Sequence, residues 1–130
     1  MREIKFRAFI KKMKWMVPVE MIDFKYQTAE VDLSYGNGAT SEYEFDEIEL
    51  MQSTGLKDKN GLKEIYEGDI MEHQIKHMRT VVFECGAFMT QKVITDPTDL
   101  HDSYHFYERT GKEWEVIGNV WENQELLETK

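Results

Sequence analysis

The stretch TGLKDKNGLKEIYEGDIM, residues 54–71, sets Asp58 and Asp69 among three glycines and three lysines. Carboxylates so placed could hold a cation, and the glycines could let backbone close around a phosphate. Each chemistry has a spacing to meet. A calcium loop opening at Asp58 needs its sharp-turn glycine at the sixth position and an oxygen ligand at the fifth, where Lys63 and Leu62 stand. A phosphate loop fails as well, because five residues separate Gly55 from Gly61 and no Lys-Ser/Thr pair follows. Turn chemistry fits better. Asp58, Asn60 and Gly61 form one turn signature and Gly68-Asp69 a second, with the Asp69 carboxylate accepting backbone N–H groups.

Other residues are weighed the same way. His73 and His77 lie four apart, as do His101 and His105. Neither segment reads as a helix, and along one strand that spacing separates the rings by more than about 10 Å, so surface histidines are expected rather than a metal site. The carboxylate pairs Glu67/Asp69 and Glu113/Glu115 sit in polar sequence beside lysines and read as exposed ionised groups, not as a general acid–base couple. Cys85, the single cysteine, lies in an apolar run and reads as an inert core thiol. Trp15, Tyr66, Trp114 and Trp121 are the candidates for gripping a partner, with core packing as their competing use. No catalytic residue, metal or cofactor is expected.

The elements that must position these residues show a period of two. Ile4, Phe6, Ala8 and Ile10 alternate with charged residues, as do Ile22, Phe24 and Tyr26, and then Ala29, Val31, Leu33 and Tyr35. Successive side chains of a strand face opposite ways, so each run predicts a half-buried strand. Gly36-Asn37-Gly38 predicts a hairpin over residues 29–45. LKEIYE suits a short extended segment. VVFECGAFMT reads as a strand buried on both faces, with Val81 to Met89 central, Phe83 and Cys85 buried, and a bulge or bend at Gly86. SYHFYERTGKEWEVIGNVW predicts a last hairpin about residues 110–112. Asn123 is placed to cap a short C-terminal helix, QELLE. Many short strands with tight turns indicate an all-β barrel or strongly bent roll in one 130-residue domain. A soft boundary divides residues 1–49 from 50–127.

Charge is unevenly spread. Residues 1–25 carry a net +4, residues 26–50 a net −7 with no Lys or Arg, and the whole chain −9. An acidic surface works against nucleic-acid binding, which draws most of its affinity from neutralised phosphates. No run is long and apolar enough for a transmembrane helix, and the alternating N-terminus lacks the apolar centre of a secretory signal. One thiol and eight methionines fit the reducing cytosol.

LMQSTGLKDKNGLKEIYEGDIM, followed by VIGNVWENQELL and preceded by MREIKFRAF, resembles the YopX-like proteins of phages and prophages. The likeness runs from residue 1 to about residue 127 and is thin over residues 11–45 and 90–112. Leu62 lengthens the first turn relative to the family pattern, and Gln124 stands where a proline often opens the last helix. The resemblance implies a mostly-β fold with an SH3-like barrel and carries no catalytic residues over to this chain. It points to a phage- or prophage-encoded accessory protein of the bacterial cytoplasm that binds macromolecules. The expected partners are a second copy of the chain, through its N-terminal strands, and a phage or host protein. The alternatives are a nucleic-acid-associated module of phage replication or recombination and, less favoured, a small metal-dependent hydrolase.

Overall fold

The computed structural model describes residues 3–34, 38–73, 77–93, 103–105 and 113–127. Among them the protein is mostly β, with strands in two antiparallel sheets. The chain divides into two compact units, Met1–Gln52 and Ser53–Lys130.

The first unit contains β1 (Phe6–Ile10), β2 (Trp15–Asp23), β3 (Thr28–Asp32) and β4 (Thr40–Glu44), a 3-10 turn over Phe45–Glu47, and the first half of β5 (Ile48–Lys57). Their hydrogen-bonded order is β4-β3-β2-β1-β5. One face buries Ala8, Ile10, Val17, Ala29, Val31 and Ile48, with Val19, Ile22, Tyr43, Phe45 and Leu50 packed against them. Each Val or Ile of this row contributes about 1.5–3 kcal/mol on removal from water and each Ala less, so the row is what holds the sheet. The β3–β4 hairpin is the one predicted over residues 29–45, although its turn at residues 35–37 lies outside the described residues.

Two features of β2 break the simple alternation. The β2–β3 register shifts between Val19 and Met21, so Val19 and Ile22 both reach the core across a bulge. The strand then ends at Asp23, whose Oδ1 accepts the N–H groups of Lys25 (2.9 Å) and Tyr26 (3.1 Å). This Asx turn takes Phe24 and Tyr26 out of the expected strand and leaves them 74% and 69% exposed.

The second unit contains the rest of β5, then β6 (Glu64–Tyr66), β7 (Asp69–His73), β8 (His77–Glu84), β9 (Ala87–Lys92), β10 (Ser103–His105) and β11 (Glu115–Asn119). β6 pairs with β5, and the remaining strands form a sheet in the order β10-β9-β8-β7-β11. Ile65, Met71, Val81 and Val116 make its core, with Phe88 and Trp114 against them.

Several expectations are corrected here. Neither sheet order closes on itself among the described residues, so the sheets stand open where a barrel was predicted. VVFECGAFMT is not one buried strand but the β8–β9 hairpin, turning at Cys85 and Gly86, which both have positive φ (52° and 78°). Two positive-φ residues in a two-residue loop match the twist of the flanking strands. Cys85 is therefore exposed, and Phe83 is 48% exposed at the hairpin end. β10 and β11 lie at opposite edges of their sheet and form no hairpin with each other, because β9 and β7 take their edges instead. The expected C-terminal helix is a single 3-10 turn, Gln124–Leu127.

Candidate functional site

The polar residues of the 54–71 stretch are bound into the backbone of the second unit. Ser53 Oγ accepts the Gly55 N–H at 3.0 Å and donates to Glu64 Oε2 at 2.8 Å. Thr54 Oγ1 donates to the Ile65 carbonyl at 2.7 Å, stitching β5 to β6. Asp58 is 3% exposed. Its Oδ1 accepts the Asn60 N–H and its Oδ2 the Val116 N–H, both at 3.2 Å, while Gly61 closes the turn at φ +69°. A carboxylate so bonded fixes its own turn and docks β11 at one stroke. Asn60 Nδ2 donates to Glu115 Oε1 and Lys63 Nζ to the Val116 carbonyl, adding two more ties to β11.

The second turn is built alike. Asp69 is 1% exposed, and its Oδ2 accepts the Tyr66 N–H at 2.8 Å. Its burial corrects the expectation of an exposed carboxylate. Gly68, at φ +89°, donates its N–H to Val81 and accepts from Val120, which brings the turn between two other segments.

VIGNVWEN completes the set. Asn119 Oδ1 accepts the N–H groups of Trp121 and Glu122, so it caps the turn that follows β11. Asn123 does not cap the last helical turn as expected; its Oδ1 accepts the Asn119 N–H at 3.0 Å. Gly118 makes that bond possible, because a Cβ there would stand 2.5 Å from Asn123 Oδ1.

Three of the four candidate aromatics, Tyr66, Trp114 and Trp121, belong to the second unit, and Trp15 belongs to the first. Trp114 packs against the second core and stacks on His73 at 5.0 Å between centroids. Tyr66 and Trp121 are half-buried in the same unit, whereas Trp15 begins β2 in the first unit and is 50% exposed. His73 and His77 are register partners across the β7–β8 pair rather than positions along one strand. His101 and the side chain of His105 lie outside the described residues. In the first unit Glu44, Asp46 and Glu47 bring carboxylate oxygens within 4.8 Å of one another, all exposed. There Glu47 Oε1 accepts the Glu44 N–H at 2.9 Å, a helix-start bond of ordinary kind.

What sequence reasoning missed is the exposed surface of the first unit. Met21, Phe24 and Tyr26 are 61%, 74% and 69% exposed there, and Trp15, at the start of β2, is 50% exposed. Asp23 preceding a polar-aromatic run was the available signal for the turn that lifts Phe24 and Tyr26 outward. The bulge that turns Met21 out leaves no mark in the residue types.

Residues 5–128 match the YopX protein family. The chain belongs to the YopX family. A crystal structure of protein EF1440 from Enterococcus faecalis is similar to this chain at 29% identity. It has a TM-score of 0.63 and covers 98% of this chain and 99% of that one. No curated protein matches. No helix among the described residues is long and apolar enough to cross a membrane.

Proposed function

We propose that this YopX-family chain is a non-catalytic accessory protein, encoded by a phage or prophage, that works in the bacterial cytoplasm by binding other macromolecules. In this reading the second unit is an SH3-like roll, and its motif serves the fold. The observation that carries the reading is the contrast between the units. The second unit turns Asp58, Asp69, Thr54 and Asn119 onto its own backbone, while the first leaves Trp15, Met21, Phe24 and Tyr26 half or more in water. Exposed aromatic and Met side chains on a small chain are typical anchors for a protein partner.

Affinity capture from infected host cells tests this, with wild-type bait beside a Trp15→Ala/Tyr26→Ala bait. The wild type retains a specific protein that the variant loses. Retention of nucleic acid by both baits, with nucleases abolishing the signal, supports the replication or recombination alternative instead. A variant that captures the same proteins as wild type overturns the assignment of the surface.

A further inference from the structure

We propose that the outer face of β2, β3 and β4 is a contact between two copies of this chain, each laying its basic β1–β2 turn across the acidic strands of the other. The inference rests on reading the chain as an interaction protein and names one of its partners.

The acidic half of the contact is set by register. β3 and β4 place Glu30 directly opposite Glu42, and Thr28 opposite Glu44, on the face turned away from Ala29, Val31 and Tyr43. Like charges opposed across an antiparallel pair weaken it, and cations laid over them relieve that cost. Thr40 Oγ1 donates to Glu30 Oε1 at 2.6 Å, which orients the carboxylate without neutralising it. No Lys or Arg lies anywhere in residues 26–50 to supply a countercharge from these strands themselves. An open groove of about 340 Å³ runs beside them, lined by Glu20, Met21, Glu30, Asp32, Gly38 and Thr40. Met21 is 61% exposed in it, and Pro18 is exposed further along β2, so the face offers apolar surface among its acids.

The basic half is the turn at residues 11–14, exposed throughout and held by Lys14 at φ +58°. Lys11 is engaged with Glu49 at 3.3 Å. Lys12 and Lys14 meet no carboxylate among the described residues. Turn and groove lie toward opposite ends of β2, with Lys14 and Glu20 about 20 Å apart along an extended chain. Two β2 strands packed antiparallel about a two-fold axis near Pro18 therefore set each turn over the other's groove. Such a contact is self-complementary and closes at the dimer.

The test is a charge swap read by sedimentation velocity, with circular dichroism confirming that each variant keeps the wild-type fold. Wild type is dimeric at micromolar concentration and dissociates as salt rises, because screening shortens the reach of these charges. Lys12→Glu/Lys14→Glu and Glu20→Lys/Glu42→Lys are each monomeric, their self-association weakened at least about ten-fold by like charges brought together. Mixed, they form a one-to-one complex. Should a reversal disturb folding, Lys14→Gln and Glu20→Gln replace it, each expected to weaken the dimer. A monomeric wild type, a dimer indifferent to these charges, or a mixture without a complex overturns the proposal. A monomeric wild type that still captures a host protein overturns this inference alone and leaves the functional reading in place.

Discussion

Asp58 and Val116 lie 58 positions apart in the chain, yet the Asp58 carboxylate accepts the Val116 N–H at 3.2 Å in the buried interior of the second unit. The same carboxylate holds the Asn60 N–H of its own turn. One side chain thus ties the first motif segment to the last strand.

Asp58→Ala strands both donors, one of them buried, and is expected to destabilise the protein by about 2–3 kcal/mol, the scale of a buried group left without its charged acceptor. Chemical denaturation measures it. Stability within error of wild type would show that the bond to Val116 contributes nothing.

Asp69→Ala removes the acceptor of the Tyr66 N–H and is expected to cost about 1–3 kcal/mol. Asp69→Asn, which keeps one acceptor oxygen, should recover part of the loss. Equal loss in both variants would point to the charge of Asp69, rather than this bond, as its contribution.

Gly118→Ala drives a Cβ into Asn123 Oδ1, and overpacking of this kind costs about 1–3 kcal/mol. The cause can be isolated by a double-mutant cycle with Asn123→Ala. With the asparagine side chain gone, adding the methyl at Gly118 should cost little. Additive losses would place the strain elsewhere.

Cys85 occupies the first turn position of the β8–β9 hairpin at φ +52°, a conformation that asparagine accepts more readily. Cys85→Asn should raise stability by about 0.5–1 kcal/mol through this preference for positive φ. In the folded wild type the thiol should react with a disulfide reagent without prior unfolding, since it is exposed. Labelling that occurs only in denaturant would contradict the hairpin.

Much of this fold was legible where one local rule acted alone. Ala8, Ile10, Ala29 and Val31 follow the strand alternation into the first core, and Gly61 and Gly68 mark turns that need positive φ. The reading failed where two rules competed. Cys85-Gly86 sits inside an apolar run, and hydrophobicity outweighed the turn signal. β2 was missed because Pro18 interrupts its pattern and the bulge after Val19 changes its parity. The roles of Asp58 and Asp69 at their own turns were readable from local Asx chemistry, but the bond to Val116 was not, because it depends on where a distant strand returns. Nor could residue types alone show which aromatics stay exposed: Trp114 is covered by packing against β7 and β8, and Trp15 is not.

The central claim is that the signature residues of this chain are fastenings of the fold rather than a site. Native-state hydrogen exchange at Tyr66, Val116 and Asn119, whose N–H groups are held by Asp69, Asp58 and Asn123, tests it most directly. If these side chains secure the second unit, the three amides exchange only through global unfolding, and adding divalent cations or phosphate leaves their rates unchanged. Rapid exchange at these amides in the free protein, slowed by such a ligand, would show that the motif is a binding site instead.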